Sequence, residues 1–367
     1  MTEQLLRVLL LQDYNTRVVL LGTVMFGACG GVVGSFMLLR KKSLVGDVAS
    51  HAALPGIALA YLILEALAPG TGKSPAWLLT GAGFGAAAGL LSASLLQRIR
   101  LIKEDAALGI VLSVFFGLGV VLLTIVQRLP TGSAGLNEFV FGKAAALTAG
   151  DVVSIAIASG LILVLCGALF KEFSLLCFDE SYAAALGWPV GWLDLLLTCL
   201  VVTVTVIGMP SVGLLLVVAQ LVIPPTAARF WTDRVGTMTL VSGIIGAVSA
   251  AAGVVISAVV PRLAAGAVIV LAGTIAFAIS LFFGTQRGVL WHWLRVRQSS
   301  RHIGEIDLLR ACFEIVERRV TAAEPDPTLW PIPREALLGT RSWTSARLSR
   351  VLASAQRDGL IRIDAEN

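Results

Sequence analysis

Asp47 and His51 stand four residues apart within "LVGDVASHAALPGIALAYL", residues 44–62, a stretch otherwise apolar enough to lie in lipid. On a helix that spacing puts both side chains on one face. A carboxylate beside a neutral imidazole nitrogen is a ligand pair for a divalent first-row metal ion. Both groups must be deprotonated to bind, which ties affinity to pH. An acidic residue at the centre of a span costs about 2.5–3.5 kcal/mol even on the lenient insertion scale, so such residues usually face a cavity and act there. His51 is the only histidine of the apolar part of the chain; His292 and His302 follow it. A structural role is the alternative, with Asp47 capping its helix beside Arg40, Lys41 and Lys42 and His51 bonded to a neighbouring carbonyl. Pro55-Gly56, one turn further on, loosens the backbone ladder, as broken helices do around transport sites. A kinked helix also occurs for packing alone.

The elements that position this pair must be membrane helices. Of 367 residues, 57% are hydrophobic and 14% charged, whereas soluble domains carry about 25% charged residues. Runs long enough to cross a hydrocarbon core of about 30 Å give about nine spans: 17–39, 46–66, 76–96, 106–126, 150–170, 190–209, 211–230, 236–259 and 264–284. The sixth and seventh nearly touch at "GMPSVG", where Pro210 can end or kink a helix. The fold expected is an all-α polytopic bundle. No signal peptide with a charged start and a small-residue cleavage site precedes the first span, so that span should remain in the mature chain.

Twelve Lys and Arg fall on one set of loops and six on the other. That bias places the N-terminus outside and the C-terminus in the cytoplasm, in keeping with an odd number of spans. The pair then lies toward the cytosolic half of its helix. Cys29, Cys166, Cys177, Cys199 and Cys312 form no CxxC and read as buried small residues. Clusters such as "GAGFGAAAG" and "GIIGAVSAAAG" let helices approach closely where lipid offers no hydrophobic drive for association.

From residue 286 the composition changes. Residues 286–367 hold 13 Arg and 10 acidic residues, for a net +3, and form a separate cytosolic unit beside a 1–285 transmembrane domain. "IDLLRACFEIVERR" puts Ile306, Leu309, Phe313 and Val316 on one face, and "SARLSRVLASAQRDGLIRID" does the same for Leu348, Val351, Leu352 and Ala355. Asp358-Gly359 should stop the last helix, and "LIRI" suits a strand. This order resembles a small α/β winged helix-turn-helix domain of the kind found in metal-responsive repressors. The modest charge argues against nucleic acid as a partner and favours docking on a partner subunit or regulation.

"PGTGKSP" at 69–75 imitates a phosphate-binding loop, but Leu67 stands where the first glycine belongs, and the segment joins two membrane spans on the outer side. It predicts no nucleotide site, and the chain is not expected to be an enzyme. Asp151 and Asp194 sit at span edges, where capping or interfacial solvation suffices. Glu65 and Glu138 lie near the outer rim, where they could attract cations.

"RKKSLVGDVASHAALPGIALAYL" closely resembles the signature of permease subunits of metal-ion ABC importers, the zinc, manganese and iron uptake family. "IKEDAALGIVLSVFFGLGVVL" (102–122), "LNEFVFGKAAALTAGD" (136–151) and "LVVAQLVIPPTAARF" (216–230) match further family segments in order. The resemblance implies a translocation pathway between two permease subunits, identical or paralogous. It also implies cytosolic ATPase subunits and an extracytoplasmic metal-binding protein. No cofactor is held permanently; manganese, zinc or iron is cargo, with a mild lean to manganese or iron because no thiolate pair is present. The family's metal-contacting Asp and His fall on Asp47 and His51. Its ATPase-coupling segment falls on "KEFSLLCFDESYAAALGWP", with Phe178, Asp179, Glu180, Ala184 and Gly187 as the coupling residues. Two other functions remain open on the residues alone: an ion-gradient-driven secondary transporter, and a membrane-tethered metal-responsive regulator.

Overall fold

The structure, a computed structural model, describes residues 14–68, 74–99, 102–129, 142, 147–260, 263–321, 332–341 and 343–362. Glu138, most of the 136–151 segment and the glycine-rich part of "PGTGKSP" lie outside these residues. Every regular element among those described is a helix. Contacts divide the chain into two compact units, Met1–Gly288 and Val289–Asn367.

In the first unit, eight helices are long and apolar enough to cross a membrane. They are α1 (Tyr14–Leu39), α2 (Val45–Leu67), α3 (Pro75–Gln97), α4 (Glu104–Gln127), α5 (Ala149–Ala168), α8 (Val190–Val212), α10 (Val235–Val259) and α11 (Ala265–Phe283). Between α5 and α8 come two short helices, α6 (Phe170–Phe178) and α7 (Glu180–Ala185). The expected span 211–230 is corrected to a 15-residue helix, α9 (Leu214–Ala228), about 22 Å long and short of the hydrocarbon thickness on its own. The expected break also moves. Helix α8 continues through Pro210, and the chain turns at Gly213, whose φ of +86° suits a residue without Cβ.

Helix α1 is the central post. It runs antiparallel to α10, with Gly27 against Gly246 and Gly31 against Ser242. The Ser242 hydroxyl donates to the Gly31 carbonyl at 2.6 Å, and Ser35 bonds Thr239 at 3.0 Å. A methyl group on Gly31 would overlap the Ser242 carbonyl. On its other side Gly34 lies against the Leu221 carbonyl of α9. Pro225 stands four residues after Leu221 and has no N–H, so that carbonyl lacks its usual helical donor. Small residues likewise form the α2–α3 seam, where Gly56 meets Gly81 and Gly85, and the Trp77 indole N–H donates to the Ala60 carbonyl at 2.9 Å.

These contacts fix which helix ends share a side. Phe36, near the end of α1, packs edge-on to Phe170 at 6.0 Å and against Phe173 at 5.5 Å. Phe230, just past α9, accepts from the Gln286 amide at 3.0 Å, and Trp231 donates to Ser280 near the end of α11. The ends of α1, α9 and α11 and the start of α10 thus gather at one end of the bundle. The start of α1 lies at the other.

The second unit comprises α12 (Val289–Thr321), α13 (Arg334–Thr340) and α14 (Ser345–Arg357) around Leu308, Ala311, Leu337, Leu348 and Ala355. The expected face of the last helix is the buried one. The expected face of the first is not: Ile306, Leu309 and Phe313 are exposed, and Leu308, Ala311 and Ile315 point inward. Helix α12 is apolar on two sides, and the side with small Gly304 and Ala311 lets α14 approach, Val351 lying on Gly304. The expected strand at 360–363 is also corrected. Gly359, at φ +70°, ends α14 as expected, but Leu360–Arg362 form no strand and Ile363 lies outside the described residues. With helices alone among the described residues, an α/β winged helix is not the architecture seen.

Gly31→Ala should lower the thermal midpoint of the detergent-solubilised protein, at an overpacking cost of about 1–3 kcal/mol. Gly83→Ala, where an added Cβ meets nothing within 4 Å, should leave it unchanged or raise it slightly, helix propensity favouring Ala by up to about 1 kcal/mol.

Candidate functional site

Helix α2 opens with Leu44 at its N-cap and no side-chain cap, and Asp47 sits in its first turn. There the carboxylate gains from the partial positive charge of the helix start. It does not cap the helix; its Oδ1 lies 3.2 Å from His51 Nε2. The imidazole and the Phe116 ring from α4 meet edge to face, centroids 5.0 Å apart at 87°. Phe116 is held in place by a second contact one turn along. Gly119 lies against Leu54 and the Pro55 ring, so α2 and α4 run side by side and each residue pair sets the next.

With Nε2 turned to Asp47, Nδ1 is buried and has no hydrogen-bond partner. Pro55, four residues after His51, also removes the usual helical donor to the His51 carbonyl. One turn of α2 therefore offers a carboxylate, an imidazole lone pair and a carbonyl lacking its usual donor. The two side chains retain 28% and 20% exposure, so they sit at the margin of the bundle, neither sealed in its core nor fully outside. No cluster of three or more His, Cys, Asp or Glu able to hold a metal occurs among the described residues. A metal ion at this pair would have to complete its shell with water, backbone oxygen or groups from another chain.

The other acids separate from the pair. Glu65 is in the last turn of α2, about 27 Å along the axis from Asp47. Asp151 closes a capping box with Thr148 at the start of α5. Asp194, expected to act as a cap or to be solvated at the interface, instead takes a bond from Arg40 at 2.7 Å and from Lys42 at 2.8 Å. Sequence reasoning used Arg40 and Lys42 for topology and missed this cluster; charges of opposite sign at three span edges were its only signal.

Arg40 also reaches Glu180 at 2.9 Å and the Leu176 carbonyl at 3.2 Å. Its side chain is only 9% exposed. Burial works against its charge, but the bonds and charges of Asp194 and then Glu180 outweigh that, and its pKa lies above the ordinary arginine value. Around this anchor, Asp179 caps α7 by accepting from the Tyr182 amide at 2.9 Å, and Gly187 turns the chain at φ +82°. Phe178, Tyr182, Leu186 and Trp188 are exposed there, as is Trp192 at the start of α8. The five residues expected to couple to an ATPase thus fall on one short, capped, apolar-faced helix and its two ends.

The model of the ABC 3 transport family matches residues 12–284. The manganese transport system membrane protein MntC of Bacillus subtilis is 42% identical over 310 residues, covering 84% of this chain and 70% of its own. The zinc transport system membrane protein TroC of Treponema pallidum is 41% identical over 295 residues, covering 79% and 96%. The solved structure of PsaBC from Streptococcus pneumoniae in complex with Fab superposes with a TM-score of 0.68 at 29% identity, covering 81% of this chain and 100% of that one. A helical membrane unit with a carboxylate–imidazole turn at its margin, matched over nearly its whole length by the family model, belongs to the ABC 3 transport family.

Proposed function

We propose that the chain is the permease subunit of an ATP-driven importer of divalent metal ions, manganese, zinc or iron, and that the ion passes Asp47 and His51 where two permease subunits meet. The observation that carries this reading is the pair itself, with Nδ1 unpartnered, both side chains partly exposed at the bundle margin and no group of three or more His, Cys, Asp or Glu able to hold a metal among the described residues. A two-ligand half-site suits an ion in transit, which must be held well enough to enter and weakly enough to leave. Relatives named for manganese, zinc and iron transport support the cargo class.

Residues 1–285 form the permease domain of a multi-pass cell-membrane protein, and residues 286–367 form a cytosolic extension. Opposite placement of the start of α1 and the end of α11 supports an N-terminus outside and a C-terminus in the cytoplasm. The end of the bundle that gathers Arg40, Lys42, Lys171, Arg229, Arg234 and Arg287 is then the cytosolic one. An extracytoplasmic metal-binding protein delivers the ion. Separate cytosolic ATPase subunits hydrolyse ATP and dock on α7, with Phe178, Asp179, Glu180, Ala184 and Gly187 at the contact.

Proteoliposomes containing the assembled complex should take up manganese or zinc only with internal or external ATP presented to the ATPase side. Uptake driven by a proton or sodium gradient without ATP would contradict the assignment. Asp47→Ala and His51→Ala should each abolish metal uptake while ATPase subunits still co-purify with the chain. Wild-type uptake rates in both variants would remove the pair from the pathway.

A further inference from the structure

The signature turn after α1 joins the two functional regions more directly than their separation in sequence suggests. Arg40 forks. One Nη bonds Glu180 of α7 and the Leu176 carbonyl of α6, and the other bonds Asp194 of α8. Lys42 closes on both oxygens of Asp194 at 2.9 and 2.8 Å. Between Arg40 and α2 there is no slack. The Arg40 and Lys42 amides bond back to Phe36 and Met37 at 3.0 and 2.9 Å, and the Val45 amide bonds Lys42 at 3.1 Å. Lys41 holds the left-handed turn at φ 60°. Asp47 follows two residues into the helix.

The two arms of the fork differ in kind. The Asp194 arm is partly buried and doubled by Lys42, so it makes a fixed joint between α1 and α8. The Glu180 arm ends on a carboxylate that is 60% exposed, where solvent competes for the charge and the bond can be exchanged. A planar guanidinium fits both carboxylates at once in a way an ammonium cannot.

We propose that Arg40 is a positioning residue that transmits displacement of α7 to the Asp47–His51 turn, with Glu180 as its releasable contact and Asp194 as its fulcrum. This rests on the permease reading, in which α7 is the element the ATPase moves. When α7 shifts, Arg40 is pulled through Glu180 and the Leu176 carbonyl. The closed 40–45 turn passes the shift to the first turn of α2, where the metal-binding pair sits.

The test is the number of metal ions moved per ATP hydrolysed by the complex in proteoliposomes with its ATPase and binding protein. Wild type is measured first: failure there to couple uptake to ATP would overturn the permease reading and this proposal with it, whereas a coupled wild type isolates the role of Arg40. Arg40→Gln should still co-purify with the ATPase subunits but move about tenfold fewer ions per ATP, within the range of ordinary coupling between sites. Arg40→Lys, which can keep only part of the fork, should fall between. If Arg40→Gln does not assemble, Arg40→Lys decides, since it keeps a positive charge beside Asp194, leaves the ATPase contact untouched and should still lower the same ratio. A wild-type ratio in the variant that assembles, even with less complex recovered, would mean that Arg40 serves packing alone and would overturn the proposal.

Discussion

An ionisable pair in a membrane helix persists only if the surrounding chain gives it polar company. Asp47 and His51 satisfy each other at 3.2 Å, the helix start supports the carboxylate, and Phe116 packs against the imidazole. The arrangement leaves Nδ1 and part of the carboxylate in reserve. Were the pair fully satisfied by the protein, it would be a structural cross-link. Were it fully exposed to lipid, insertion would cost too much. Its position at the margin, with Pro55 removing a helical donor from the same turn, leaves both side chains partly exposed while the segment stays packed in the bundle.

The rest of the bundle keeps that turn in place by close backbone approach rather than by large side chains. Helix α1 meets α10 through glycine and serine, and α9 through Gly34 and a carbonyl whose donor a proline has removed. With no hydrophobic drive between helices in lipid, such contacts supply the association. The charged cluster at one end joins α1, α6, α7 and α8, and the short 40–45 turn joins it to α2.

Local features of this chain were legible before its structure. Apolar runs gave eight spans close to their observed limits, and four-residue spacing gave the Asp47–His51 pair, because both depend on near neighbours. The span read at 211–230 proved to hold a shorter helix, Leu214–Ala228, because hydropathy measures length in apolar residues and does not see Gly213 turn the chain. Helix α12 was assigned the wrong inner face because both its faces are apolar, and small Ala311 and Gly304 decide which one packs. The strand after α14 was read from four residues whose pairing partner, if a strand, had to come from elsewhere. The Arg40 cluster joins residues 140 and 154 positions apart, and no periodicity reports contacts of that kind. Phe116 was likewise invisible as the partner of His51.

The most direct test is to locate the ion. Anomalous scattering from manganese or zinc bound to the assembled complex should give a peak bounded by the Asp47 carboxylate and the His51 imidazole, at metal–ligand distances of about 2.0–2.2 Å, in a passage shared by two facing permease subunits. A bound ion found elsewhere along the passage, with these two side chains turned toward lipid, would contradict the account.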